Sequence, residues 1–264
     1  MKAIRILPCV LIVILMGGLF VSCSRGPSEE ELKLAELQQQ FVLIQEQHAA
    51  LEEIRADLKD QLIAIEELEA IDEKKLTDEQ KLLLEEGLLK VEELSAAETE
   101  AFEEAEGNLA EFLNTALNDY PEIPETKMAL DMYSDEAVLV AQDMVTKAGD
   151  YSKAIDHLYA ATSLYEQVGL EIYPALEEKI AWLNEWRFIT QERFDAVTKG
   201  MTKEEVQVAV GVPYYQNIQK DNKRGVETWL YRKADGGAAA IYFKMKDDKV
   251  YNKNFDAIKV KVVE

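Results

Sequence analysis

The sequence predicts a mostly α protein with a C-terminal α+β module: a long antiparallel helical hairpin, a short helical bundle, then two helices packed on a three-stranded antiparallel sheet. Three observations predict it. Apolar residues recur in steps of three and four from Leu37 to Leu68, and near that spacing again from Leu84 to Leu117. Pro121 and Pro124 interrupt that pattern, and helical patterning resumes after them. Beyond Gly211 and Pro213 the apolar period shortens to two, in runs separated by turn residues. The boundaries that follow are residues 1–22, a leader; 23–27, a tether; 28–119, an acidic hairpin; 120–190, a second helical segment; and 191–264, the mixed module.

The leader comes first in the chain. Lys2 and Arg5 precede "ILPCVLIVILMGGLF", an uncharged apolar stretch that ends near Cys23. A basic start, a short apolar core and a small-residue exit describe a secretory signal peptide, and a comfortable membrane span needs about 20 apolar residues. An uncleaved N-terminal membrane helix is the other reading. Cys23 could in principle be a core thiol, half of a disulfide or a lipid attachment point. The chain has only one other cysteine, Cys9, and it lies inside the leader, so a mature chain has no pairing partner for Cys23. "LFVSC" resembles the bacterial lipoprotein lipobox, with Phe20 where that pattern usually has Leu. The resemblance implies that Cys23 takes a diacylglycerol and a further fatty acyl chain after cleavage. Two or more such chains hold a protein stably on a bilayer. Ser24, rather than Asp, after the cysteine implies sorting to the outer membrane.

Charge sets the next bounds. The 264 residues carry a net charge of −22 and are 48% hydrophobic, enough for a sizeable core. Residues 28–119 hold 27 acidic against 7 basic side chains, whereas residues 120–264 hold 24 against 19. Such a surface repels phosphate backbones, which excludes nucleic acid as a partner, and it is repelled by anionic headgroups.

The acidic arm opens after Pro27 with Ser28 and Glu31, a capping box. Leu37, Phe41, Ile44, His48, Leu51, Ile54, Leu58, Leu62, Ile65 and Leu68 then form one helical face. "IDEKKLTDEQ" breaks the pattern, and Thr77 with Gln80 supplies a second capping box. Leu84, Leu88, Val91, Leu94, Phe102, Leu109, Phe112 and Leu117 mark the second helix. Two helices of about forty residues fold back as an antiparallel hairpin roughly 60 Å long. One reading is a two-stranded coiled coil with a solvated acidic outside. The other is a spacer or docking arm. His48 reads as a residue of the apolar seam rather than a ligand.

"DEAVLVAQDMVTKAGDYSKAIDHLYAATSLYEQ" resembles a tetratricopeptide repeat. Gly149, Asp150 and Tyr151 stand at its turn, and Ala154, Leu158 and Ala161 form the ladder of small and bulky residues that lets two helices approach. Gln142 occupies the position where that family prefers Gly. With a single copy, the expectation is one repeat-like hairpin inside a helical bundle, with "EIYPALEEKIAWLNEWRFITQ" as a capping helix, rather than a solenoid. His157 on this hairpin reads as structural, since no Cys or second nearby His completes a metal site.

The last module is the most informative. Gly200 is expected to end one helical segment, Thr202 with Glu205 to cap the next, and Gly211 with Pro213 to stop it. "VETWLYRK", "AAAIYFKMK" and "KVYNKNF" read as three strands joined by "ADGG" and "DD", with Trp229 and Tyr231 on one face. The ordered residues Gly200, Met201, Thr202, Val206, Gly211, Pro213, Trp229, Tyr231 and Phe243 resemble the SmpA/OmlA (BamE-like) family of outer-membrane lipoproteins over about 70 residues. The resemblance implies a lipid-anchored protein on the periplasmic side of the outer membrane. It implies envelope proteins as partners, the β-barrel assembly machinery among them, and a protein-binding role in barrel assembly or envelope integrity. The long arm and the repeat-like hairpin lie outside that family's compact form. A coiled-coil scaffold lipoprotein and an inhibitor-like binding module remain as alternatives, because β-lactamase-inhibitory proteins share the architecture. The motif residues are caps, turns and core. Tyr214 and Tyr215, just past the helix stop, are the candidate contact surface. The chain carries no nucleophile elbow, phosphate loop or metal-spaced Cys/His set, so the expectation is a non-enzyme without metal or cofactor.

Overall fold

A computed structural model describes residues 27–71, 75–257 and 262–263. Cys23, Cys9 and the leader lie outside the described residues. The chain divides into two units at Glu36. In the first, Ser28 and Glu31 form the expected capping box. The Ser28 amide donates to Glu31 Oε2 (2.6 Å), and the Glu31 amide donates to Ser28 Oγ (3.2 Å). They open α1, Glu29–Glu69.

The second unit, from Leu37 on, holds the rest. Thr77 and Gln80 cap α2, Asp78–Asp119, reciprocally. The two helices run antiparallel. Phe41 meets Phe112 at 5.3 Å between ring centroids, Asn108 donates to Gln47, Arg55 donates to Glu98, and Ile65 sits over Gly87. The seam residues Leu37, Phe41, Ile44 and Leu51 are buried, as are Leu109 and Phe112.

Pro124 starts α3, Pro124–Ala148, at a position where its missing N–H costs nothing. This helix lies on the hairpin, with Gln38 bonded to Glu125 and Arg55 held bidentately by Glu136 at 2.7 and 2.9 Å. Gly149 ends it in a left-handed conformation, and Asp150 caps α4, Tyr151–Val168. Ala137 and Ala141 of α3, and Ala154, Leu158 and Ala161 of α4, are at most 3% exposed. The small side chains bring the two backbones close, as the ladder in the sequence anticipates. Tyr165 is fully buried between the two helices, and its hydroxyl donates to Asp131 and lies 3.0 Å from Ser134 Oγ. Then α5, Pro174–Trp186, covers α4 and α3, and the stacked Trp182 and Trp186 point its aromatic edge toward Tyr151.

The mixed module carries α6, Gln191–Ala196, and α7, Lys203–Val210. Four antiparallel strands follow in the order β1-β2-β3-β4: Ile218–Asp221, Val226–Arg232, Ala238–Lys244 and Lys249–Asn254. The expected sheet of three strands is therefore corrected to four. β1, "IQKD", has no apolar alternation because it is an exposed edge, and three of its four residues face solvent. A second correction concerns Gly200. The helix before it ends at Ala196, and Gly200 lies in a turn at φ 97°.

One sheet face carries Trp229, Tyr231, Ile241 and Phe243, packed on Phe194, Val206 and Val210 of the helices. In register, Trp229 pairs with Ile241 and Tyr231 with Ala239. The opposite face carries Leu230, Ala238 and Ala240 with Ala257.

The module meets the bundle where bare glycine backbone lets the two approach closely. A Cβ on Gly149 would stand 2.3 Å from the Pro213 carbonyl oxygen, and one on Gly211 would stand 2.6 Å from the Tyr151 hydroxyl. Gly169 caps α4 with the same left-handed geometry but faces open space. Gly169→Ala is therefore expected to cost only the left-handed strain, about 1 kcal/mol. Gly149→Ala adds a backbone collision and should cost roughly 3 kcal/mol or more. Urea unfolding of the two variants checks the difference.

Candidate functional site

The family-like residues fall into place as structure. Thr202 and Glu205 close a capping box, with the Thr202 amide 2.8 Å from Glu205 Oε2. Gly200 donates to Val250, and the Val250 amide donates to Met201, so this turn lies along β4. Val206, Trp229, Tyr231 and Phe243 are core, with Trp229 and Phe243 rings 4.5 Å apart. Gly211 and Pro213 are buried at the joint with the bundle. The Tyr231 hydroxyl donates to the Gly211 carbonyl at 3.2 Å, and burial pushes its pKa well up, so it stays a donor. Glu227 is buried beside Trp229. Burial alone pushes its carboxyl upward, but hydrogen bonds from Trp229 Nε1 (2.7 Å) and Lys203 Nζ (3.1 Å) hold it below the ordinary value. This acid is fully partnered within the module.

What remains displayed is a small apolar surface. Val208 projects from α7 at 80% exposure, between the buried Val206 and Val210. Tyr215 is 55% exposed and meets Tyr214 edge-on at 4.8 Å. Tyr214 turns partly inward and lines a cavity of about 40 Å³ at the joint, with Tyr151, Trp186, Leu230 and Tyr231. The two tyrosines are thus split, one toward the joint and one toward solvent.

The chain matches no protein-family model, no curated protein and no solved structure.

A second site escaped the sequence reading. His48 of α1 and His157 of α4 are the only histidines in the chain, and both line one cavity with Glu106 of α2 and Tyr133 and Glu136 of α3. Its walls are mostly apolar, Leu51, Phe102 and Leu109 among them, and its free space is about 30 Å³, room for a water or two. The Nε2 atoms of both histidines are buried without a hydrogen-bond partner, while His48 Nδ1 lies 3.9 Å from Glu136 Oε1. Among the described residues no group of three or more His, Cys, Asp or Glu side chains is placed to hold a metal ion. Arg55 lies outside this lining and reaches it through Glu136. It bonds Glu136, Glu52 and Glu98 and lies 5.7 Å from the Phe102 ring centroid, and the Glu136 bond foremost holds its guanidinium charged. Helical periodicity marks each histidine as lying on a face but cannot say that the two faces meet.

Burial lowers the pKa of His157 from its ordinary value, against the raising effect of Glu106 and with a smaller lowering by Lys153. The folded chain therefore binds fewer protons than the unfolded chain as pH falls below about 6.5, and stability falls with it. The unfolding free energy should be lower at pH 5.5 than at pH 7.5. His157→Gln should shrink that difference, measured by urea titration at both pH values, since the carboxylates titrate lower.

Proposed function

We propose that this chain is a lipid-anchored protein of the outer membrane, facing the periplasm, whose C-terminal module binds another envelope protein. The lipobox-like "LFVSC" supports the anchor, and the family-like order of Gly200, Met201, Thr202, Gly211, Pro213, Trp229 and Tyr231 supports the module. The observation that carries the binding role is Val208. A β-branched side chain at 80% exposure, on a helix whose other valines are core, contributes nothing to the fold and is free to be covered. Tyr215, an amphipathic ring with its hydroxyl bonded by Gln216, adds a second anchor of the kind enriched at interfaces. The resemblance implies an envelope protein as the partner, with the barrel-assembly machinery among the candidates. Among the described residues no helix is long and apolar enough to cross a membrane.

Two measurements test this reading. The mature N-terminal peptide should start at Cys23 and carry acyl mass, and Cys23→Ala should leave the membrane fraction. In cross-linked envelopes the wild-type chain should recover a barrel-assembly component, and Val208→Glu should lose it while its unfolding free energy stays within about 0.5 kcal/mol. Recovery unaffected by Val208→Glu removes the module surface from consideration.

A further inference from the structure

The hairpin outruns the helix that covers it. Among the described residues α3 bonds α1 from Gln38 to Arg55 and no further. Near that point α3 leaves the hairpin, and a cleft of about 390 Å³ opens between Phe102 of α2 and Leu139 and Val140 of α3. The faces that seat α3 continue past it. On α1, His48 and Arg55 face α3, and Leu62 follows seven residues on, two turns further along the same face. On α2, Phe102 lines the cleft, and Leu88 stands fourteen residues before it, again on the same face. Both leucines are 49% exposed. Half-buried Leu84 and Val91 lie between the stripes and the seam. About 14 residues of α1 beyond Arg55, roughly 21 Å, are thus a seat for a third helix without one.

Charge chooses the occupant. Residues 56–97 hold 13 acidic and 5 basic side chains. Glu66 stands one turn from Leu62, and Glu85 and Glu92 flank Leu88, with Lys59 the cation beside Leu62. The cleft itself is rimmed by Glu98, Glu136 and Asp143, with Arg55 the cation among them and already held by Glu98 and Glu136. A second copy would bring the same excess of negative charge against this one, and an anionic bilayer would do likewise; both are opposed. We propose that the uncovered end of the hairpin binds an amphipathic helix of a partner protein, about four turns long, with an aliphatic stripe and Lys or Arg flanks. Its apolar stripe completes the three-helix layer that α3 leaves unfinished, in the helix-in-groove manner.

The test uses the full chain in zwitterionic nanodiscs, with empty discs as reference. The probes are two fluorescent 14-residue helices with the same Leu stripe, one flanked by Lys and one by Glu. Anisotropy should show saturable binding of the Lys helix, weakened by salt, and none of the Glu helix. The double variant Leu62→Asp, Leu88→Asp adds negative charge while removing the apolar stripe. Docking requires this variant to bind the Lys helix about tenfold more weakly or worse. Equal or tighter binding would mean plain charge attraction and overturn the proposal. So would a chain that pairs in the discs through these leucines, with the pairing abolished by the double variant, which assigns the face to a second copy. Leu62→Ser, Leu88→Ser must weaken binding in the same direction, and both variants should unfold at the wild-type urea midpoint, because the leucines are exposed. Retention of the chain in the discs reads the Cys23 anchor, helix binding by the retained chain reads this face, and Val208 enters neither, so failure of the anchor is seen before any helix is added and failure here leaves the anchored-module reading untouched.

Discussion

The close approach of Pro213 to Gly149 is the constraint on which the rest of the structure depends. Gly149 stands at φ 63°, which an L side chain adopts only with strain, and the carbonyl of Pro213 occupies the space a Cβ would fill. The same residue does three things. It ends α3, receiving no side chain that would continue the helix. It turns the chain so that Asp150 can cap α4. It also presents bare backbone to the mixed module. Gly211 answers from the other side, with its would-be Cβ blocked by the Tyr151 hydroxyl and its carbonyl held by Tyr231. Two glycines and two tyrosines thus lock a helical hairpin onto a sheet with little apolar area of their own. The orientation of everything C-terminal to Pro213 follows from that joint.

Much of this was legible in the sequence because it is written locally. Ser28 with Glu31, Thr77 with Gln80, and Thr202 with Glu205 all form the reciprocal caps that their spacing anticipates. Gly149–Asp150–Tyr151 makes the expected turn, and the Ala154, Leu158 and Ala161 ladder is buried. Trp229 and Tyr231 share the inner sheet face, as a period of two requires. The misses have a common cause as well. β1 is held by pairing with β2 rather than by apolar burial, so no alternation marks it. The histidine cavity needs α1 and α4 to arrive at the same place, which periodicity along either helix does not contain. Leu62 and Leu88 carry seam spacing, yet spacing says which face a residue is on and not whether a neighbour covers it.

That last point bears on the acidic arm. Near α3, carboxylates are used structurally: Glu136 and Glu98 grip Arg55, and Glu125 accepts from Gln38. Past Arg55 the same residue type surrounds exposed leucines. On the far part of α2, Leu82, Leu83, Leu88 and Leu89 are 49–67% exposed, which a solvated coiled-coil exterior does not call for. A plain spacer needs charge outside and leucine inside. Here the outside carries both, and like-charged flanks oppose pairing between copies of the arm while the aliphatic surface stays exposed.

The Arg55 cluster divides these two regimes. On one side of it lies the closed histidine cavity; on the other lie the open cleft and the bare stripe, while the seam between α1 and α2 runs past it to Ile65. Arg55 is also the cation that neutralises Glu136 beside His48, and its guanidinium lies by the Phe102 ring that lines both spaces. A ligand helix entering the cleft therefore meets a ring and a charge network whose other face is the wall of the cavity. Any displacement of Phe102 changes the surroundings of Glu136 and His48 together. The single basic residue at the end of α3's seat thereby joins the unfinished helical layer to the only imidazoles in the chain.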